Sequence, residues 1–329
     1  MRLCEKKMIM EQQVLLSELA TDTLKGFSSN PKYLLSKYFY DDAGSAIFQD
    51  IMHMPEYYLT DCEHEIFSEQ KDALLSAFSN NGDNFNLVEL GSGDGLKTKI
   101  LLNHFFNKGA GFQYLPVDIS QKANDDLEQN LKAEIPGLPV TPKTGDYFHE
   151  LQKLSSDDRT PKVIFFLGSN IGNFTREETG NFLEHLSDYT NTGDKAIIGF
   201  DLKKSPEVIL KAYNDPHGHT RRFIFNHLVR LNRELDAAFD PGSFVHHCTY
   251  NPENGELKSY LISTKKHEVR IDAVEQVFHF DKWEPVFMEL SRKFDHKTIE
   301  QLADDHGFKL VKNFTDRRNY FVDSLWEKK

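Results

Sequence analysis

Up to residue 62, apolar positions recur at helical spacing. Leu15, Leu16, Leu19 and Leu24 form one stripe and predict a helix within 10–35. A second helix over 43–54 stops at Pro55, ahead of the aromatic cluster Glu56-Tyr57-Tyr58. From residue 63 onward, amphipathic stretches alternate with short apolar runs. A helix over 63–78 precedes a strand at 86–90, and the glycine turn Gly91-Ser92-Gly93-Asp94-Gly95 leads into a helix reaching Phe106. A strand at 112–117, a helix at 122–133, a strand at 162–167, a helix from Thr175 and a strand at 195–201 follow. Helices between short β-rich runs imply right-handed crossovers and a mostly parallel sheet.

The end of the chain differs. A helix over 298–306 stops at Gly307, and strands at 308–314 and 320–326 flank the polar turn 315–319. An antiparallel hairpin closing a parallel sheet is the mark of class I methyltransferases rather than of most dehydrogenases. The expected fold is therefore α/β: a Rossmann-like, mostly parallel seven-stranded sheet with a terminal antiparallel hairpin, plus a smaller α+β domain. Segments 63–201 and 292–329 are expected to form the cofactor-binding methyltransferase domain. Segments 10–62 and 202–291, which include strand-like runs at 258–263 and 267–271, are expected to form the substrate-binding domain.

Composition agrees with a folded, water-exposed chain. At 329 residues it is long enough for roughly two domains, and 26 Phe with 12 Tyr are too many for disorder. Thirty-nine basic residues against 51 acidic ones give a net charge of −12, which repels phosphate backbones and argues against general nucleic-acid binding, though a small basic patch can hide in that total. Cys4, Cys62 and Cys248 are far apart and odd in number, against a disulfide framework or a cysteine zinc site. The N-terminal MRLCEKKMIMEQQ is too polar for a signal peptide, and no apolar run reaches membrane-helix length. A cytoplasmic location without a membrane partner is expected.

The acidic-x-Gly-x-Gly-x-Gly form of Glu89–Gly95 stands where a first strand becomes a first helix, so backbone can approach a ligand there. It differs from the dinucleotide G-x-G-x-x-G, whose spacing opens a helix N-terminus to a pyrophosphate. S-adenosylmethionine has no phosphate and needs backbone groups and a carboxylate instead. Asp118, ending the next strand, suits a ribose diol, or else a helix cap together with Ser120. Asp146, in Gly145-Asp146-Tyr147, suits an adenine amine at the end of a third strand. Asn173, after the fourth strand in Leu167–Phe174, is a candidate substrate contact, or else it or Thr175 caps the next helix. In His246-His247-Cys248, neighbours on a strand point to opposite faces and would not converge on a metal ion, so none is expected. His217 and His219 read as solvent-facing loop residues, and Lys203-Lys204 as a solvated face.

Several longer motifs carry a resemblance. They are Lys37-Tyr38-Phe39-Tyr40-Asp41 with Gly44-Ser45 and Phe48, Pro55-Glu56-Tyr57-Tyr58, Leu87–Gly93, Gly145-Asp146 and Phe166–Asn173. Asn232-Arg233-Glu234-Leu235 and Glu289-Leu290-Ser291-Arg292-Lys293-Phe294 complete the set. In this order, over nearly the whole chain, the sequence resembles the S-adenosylmethionine-dependent histidine Nα-methyltransferases of ergothioneine biosynthesis, which convert L-histidine to hercynine.

The resemblance implies that Gly91, Gly93, Lys97, Asp118, Asp146 and Tyr147 hold S-adenosyl-L-methionine. It implies that Asn173 and Tyr213 take the substrate carboxylate, that Tyr57 and Tyr40 stand near the α-amine, and that Glu289 and Ser291 recognise the imidazole. A carboxylate and a hydroxyl two apart on a strand can take both ring nitrogens. Tyr57, Tyr40 and Asn173 are then the expected catalytic residues. One departure concerns Ser259, which stands near where the family often carries Met beside the imidazole, making that wall smaller and more polar. An acceptor that is another amino acid or a histidine-derived thioether is the alternative reading, and a monomer is the expected state.

Overall fold

The strands Phe85–Leu90, Lys162–Phe166 and Lys195–Asp201 are buried along their whole length, as parallel strands covered on both faces must be. The computed structural model that shows this describes residues 16–79, 83–93, 95–157 and 160–329. The start of the expected 10–35 helix with Leu15, as well as Cys4 and Asp94, lies outside the described residues.

These strands belong to a seven-stranded sheet. Its order runs Phe308–Thr315, Phe321–Lys328, Lys195–Asp201, Lys162–Phe166, Phe85–Leu90, Phe112–Asp118 and Lys143–Thr144. The last five are parallel, with Leu87 opposite Tyr114 on one side and Val163 on the other. The terminal pair is antiparallel, Ser324 lying opposite Ile198 and Asn313, which confirms the expected closing hairpin. Strand order reverses at Phe85–Leu90, and in open α/β sheets ligands bind beyond the carboxyl ends of strands at such a switch point. Val88, Ile164, Phe166, Ile198, Phe200 and Trp326 build the core on one face, with Trp326 stacked 5.9 Å from Phe200.

The chain divides into two compact units. The larger comprises Pro55–Ala212, Tyr250–Leu257 and Leu290–Lys329 and contains the seven-stranded sheet. The smaller takes in the described residues up to Met54, then Tyr213–Thr249 and Lys258–Glu289. The hydrophobic pattern placed the borders after residues 62, 201 and 291; in the structure Tyr250–Leu257 returns to the larger unit, the second and third borders fall after Ala212 and Glu289, and the first falls after Met54. The reason lies in the helix Tyr58–Glu69: Tyr58 bonds to Asp201, and Glu63 accepts from the Gly168 amide at 2.8 Å, so this helix belongs with the sheet. The expected single helix over 63–78 is two, Tyr58–Glu69 and Lys71–Phe78, interrupted at Gln70.

In the smaller unit, Phe27 of the helix Glu18–Ser28 packs on Phe239, Phe278 and Phe280 at ring separations of 5.3–5.6 Å. Phe278 and Phe280 lie on the strand Gln276–Phe280, which pairs antiparallel with His267–Ile271. The expected helix over 10–35 is thus shorter, ending at Ser28, and Lys32–Tyr33 pairs instead as a short strand beside Val286 and Phe287. Among the described residues no helix is long and apolar enough to cross a membrane.

Candidate active site

In the larger unit the residues expected to hold a cofactor gather at the carboxyl ends of adjacent strands. Gly91 follows the strand Phe85–Leu90 with φ +73°, and a Cβ there would stand 2.6 Å from the Tyr147 hydroxyl. A side chain at that position is excluded twice, by backbone conformation and by space. Next to Gly93 a Cβ would meet nothing within 4 Å, so backbone faces open space. Asp118 ends its strand half-buried, and its Oδ1 accepts from the Ser120 amide at 2.9 Å. Ser120, not Asp118, caps the helix Gln121–Glu134, and Oδ2 of Asp118 has no protein partner among the described residues. Asp146 does cap a helix: its Oδ1 accepts from Phe148 and His149 amides at 3.0 and 3.1 Å. Burial, then the charges of Asp118 and Asp146, push the Tyr147 phenol up to about 12. Two carboxylates beside one neutral phenol suit a nucleoside and a cationic sulfonium and repel a pyrophosphate. The donor set therefore fits S-adenosylmethionine better than a dinucleotide.

Lys97 is placed differently from a direct ligand. Its ammonium pairs with Glu63, which is fully buried and also receives the Gly168 amide. Burial opposes that charge, but Glu63 outweighs it and Lys97 stays protonated. The pair ties the helix after the glycine turn to the end of the neighbouring strand. Asp323 lies beside it, fully buried and without a hydrogen-bond partner among the described residues. Burial and the charge of Glu63 raise its carboxyl well above the ordinary range, so it remains a neutral acid. Glu89, the acidic residue before the glycine turn, does not face a ligand. It accepts from Thr98 at 2.8 Å and from Tyr114 at 2.5 Å, and burial lifts it to about 7.

Asn173 ends a short 3-10 turn, Asn170–Asn173, and is exposed. The helix that follows is capped by Thr175 through a complete capping box with Glu178, so capping does not account for Asn173. A Cβ on Gly172 would stand 2.8 Å from the Arg292 carbonyl oxygen. Only glycine permits this approach, which sets the turn carrying Asn173 against the end of the strand carrying Ser291. Tyr57 is half-buried at the N-cap of the helix Tyr58–Glu69.

A buried charged group that sequence reasoning missed surrounds Ser291. Asp201 ends the strand Lys195–Asp201, wholly buried, and pairs with Lys204 and, at 2.7 Å, with Lys293. Tyr58 donates its hydroxyl to Asp201 at 2.9 Å, and Lys293 donates to Ser291 Oγ at 2.7 Å. Burial would raise the Asp201 carboxyl, but Lys293 and Lys204 together hold it below its ordinary value. Burial lowers Lys204, with Asp201 offsetting part of the effect. Lys203-Lys204 is thus no solvated face: Lys203 pairs with Asp295 near solvent at 3.2 Å, while the Lys204 side chain is 4% exposed. A carboxylate closing an otherwise apolar strand was the one available signal.

The smaller unit brings Tyr40, Tyr213 and Glu289 together. Tyr40 keeps 48% of its surface exposed, but the protein packed around it, then the charge of Glu289 and the neighbouring Tyr213, hold its phenol above its ordinary range. Tyr40 is placed by its neighbour. Asp41 caps the helix Asp42–Met52 and is gripped from the helix His219–Glu234 by Asn226 at 2.7 Å and Arg233 at 2.6 Å. The Tyr40 ring packs on Phe48 and Phe223 at 5.3 and 5.2 Å. Arg233 and Asn232 of the Asn-Arg-Glu-Leu motif are scaffold, Asn232 bridging to Phe239 in both directions at 2.8 Å. Ser259 is fully buried on its strand between Leu257 and Leu261, and its hydroxyl has no hydrogen-bond partner among the described residues. On the strand Phe244–Asn251, His246 and Cys248 are half-buried while His247 is exposed, as strand alternation requires. His217 is exposed, whereas His219 opens a helix and is only half-exposed.

Residues 19–328 match the family described as histidine-specific methyltransferase, SAM-dependent. The chain is 32% identical to histidine N-alpha-methyltransferase of Mycobacterium tuberculosis over 93% of its own length and 94% of that protein. It is 31% identical to the histidine N-alpha-methyltransferase of Mycolicibacterium smegmatis over the same shares. It is 28% identical to ergothioneine biosynthesis protein 1 of Schizosaccharomyces pombe over 85% of its length, spanning 37% of that protein.

Proposed function

The chain belongs to the SAM-dependent, histidine-specific methyltransferases, and from that premise we propose that it methylates the α-amine of L-histidine three times, giving hercynine on the way to ergothioneine. The observation that carries this reading is the cofactor cradle of Gly91, Gly93, Asp118, Asp146 and Tyr147, acidic rather than basic, together with an exposed Asn173 that caps no helix. Asp118 would hold the ribose diol, Asp146 the adenine amine and the backbone at Gly91 the amino-acid arm, with Lys97 keeping that wall in place through Glu63.

S-adenosylmethionine, when bound, supplies an electrophilic sulfonium methyl whose thioether leaving group needs no acid. The chain's own task is to present the substrate amine aligned and unprotonated. A free α-amine is mostly protonated near neutral pH, so selection of its neutral form is part of the work. Tyr40 stays a neutral phenol in the field of Glu289 and so orients the amine by hydrogen bonding rather than taking its proton. Tyr57 and Asn173 would share that orientation, and Asn173 with Tyr213 would hold the carboxylate. Glu289 and Ser291 would take the ring nitrogens. A site with such polar groups rejects an apolar ring because its own groups would be left unpaired.

All proposed cofactor residues fall in the larger unit. The accompanying expectations are a cytoplasmic monomer with no nucleic-acid partner, checked by light scattering of purified protein. Acceptor choice is tested by steady-state competition between histidine, other amino acids and a histidine-derived thioether. The expected result is a kcat/KM for histidine at least about tenfold above the rest, since removal of one ring hydrogen bond to a charged group costs roughly 1.5–3 kcal/mol. Equal use of tryptophan or phenylalanine would sink the histidine reading.

A further inference from the structure

Asp323 is a fully buried carboxyl that the proposed chemistry leaves unused, and among the described residues neither of its oxygens has a hydrogen-bond partner. It lies on the strand Phe321–Lys328, directly opposite Gly199 of the strand Lys195–Asp201, and paired residues share one face of a sheet. A Cβ on Gly199 would stand 3.0 Å from Oε1 of Glu63 and 3.2 Å from the Gly168 nitrogen. Glycine at this position makes the room in which Glu63 reaches the sheet beside Asp323. Both oxygens of Glu63 are engaged: Oε1 accepts from the Gly168 amide at 2.8 Å, and Oε2 takes the Lys97 ammonium. Gly168, at φ +71°, opens the turn that leads to Asn173. Lys97 stands at the start of the helix Thr98–Asn107. The charges that act on Asp323 are those of Glu63 and Lys97, and Glu89 acts in turn on Lys97. Glu89 has two donors of its own, Thr98 and Tyr114.

Glu63 and Asp323 thus stand beside one ammonium in a place closed to water. Carboxyls buried side by side do not both ionise readily, and one of them keeps a proton. Glu63 receives an ammonium and an amide, so it is the better anion, and the proton stays on Asp323. The amino-acid arm of S-adenosylmethionine brings a further carboxylate. Resting on the reading that the glycine turn and Lys97 form the wall behind that arm, we propose that Asp323 is a positioning residue that works as a neutral acid. Its retained proton leaves the charge of Lys97 to Glu63 and to the arm, and keeps Glu63 on the Gly168 amide. Ionised, with its proton lost to solvent, Asp323 would set one more anion against the same cation. Cofactor affinity is therefore full while Asp323 is protonated and falls as pH rises through its ionisation.

The test is calorimetric binding of S-adenosylhomocysteine, which keeps the same arm, to wild type and Asp323→Asn across a pH series. Above about pH 8, wild-type affinity should fall relative to Asp323→Asn, approaching about tenfold per pH unit, as linkage to one proton requires. The ligand amine and Glu89 titrate in both proteins and drop out of the comparison. Equal alkaline slopes in the two would overturn the proposal. A loss of more than about tenfold in Asp323→Asn near neutral pH would overturn it too, because the ionised form would then be the one that works. Infrared difference spectroscopy of the unmodified chain, with and without S-adenosylhomocysteine, does not need the variant to fold. It is run at about pH 8, above the value of about 7 for Glu89. A shifted carbonyl band of a protonated carboxylic acid supports the proposal, and a difference spectrum without one overturns it. Each of these overturning results leaves cofactor binding standing, whereas wild type that binds no S-adenosylhomocysteine at any pH would overturn the cofactor reading and the proposal together.

Discussion

Two sets of polar residues stand at the carboxyl ends of the same parallel sheet, and they are built on opposite terms. The set after Phe85–Leu90 and its outer neighbours, Gly91, Asp118 and Asp146, is open: Asp146 is exposed, and Asp118 keeps an oxygen with no protein partner among the described residues. The set around Asp201 is closed, with Tyr58, Lys204, Ser291 and Lys293 saturating one another in the dark of the fold. The first should govern binding at little cost to stability. The second should govern stability first and binding only through Ser291.

The largest effect that would break this contrast is at Asp201. Asp201→Ala strands Lys204 and Lys293 with no counter-charge, and removal of one partner of a buried pair costs about 3–5 kcal/mol. Denaturant unfolding should show that loss, and a change under about 1 kcal/mol would mean the network is not closed. Asp118→Ala should do the reverse, weakening cofactor binding about ten- to a hundredfold in calorimetry, as loss of a charged hydrogen bond does. Its midpoint of thermal unfolding should move little.

Gly91→Ala comes next. Its methyl meets the Tyr147 hydroxyl and its φ is positive, so a cost of roughly 1–2 kcal/mol in stability is expected, with cofactor affinity falling alongside. The double variant with Tyr147→Phe should recover part of the affinity if crowding against that hydroxyl contributes, and none if backbone strain is the whole effect.

The smallest effect concerns Glu89, whose carboxyl is raised by burial from 4.5 to about 7. The folded chain keeps this proton longer than the unfolded one, so stability from this group is full below the ordinary value. It is lost as pH rises toward 7. Thermal unfolding of Glu89→Gln should therefore show a flatter decline over that window than wild type. A parallel decline in both would place the titration elsewhere.

The same contrast explains what was legible in the sequence. The alternation of apolar runs and amphipathic stretches showed the sheet, its closing hairpin and the glycine turn, because each depends on residues close together in the chain. Asp118 was visible as a polar residue ending an apolar strand, and Asp146 through Gly145-Asp146-Tyr147, placed where a third strand would end. The closed network draws on positions 58, 201, 204, 291 and 293, and no local spacing joins them. Lys204 read as a surface charge beside Lys203 because periodicity carries no information about a carboxylate three residues back turning inward. Lys97 was legible as a cofactor-side residue, but its partner Glu63 sits on another helix, so its role as a tie between strand ends emerged only in three dimensions. Glu63 itself lay inside a stretch whose helical pattern was plain and whose burial was not.

Mass spectrometry of L-histidine incubated with the purified protein and S-adenosylmethionine is the decisive measurement of the acceptor. Products heavier by one, two and finally three methyl groups are the result expected, with the trimethylated species accumulating. Histidine recovered unmodified while the cofactor still binds would contradict the assignment of the acceptor.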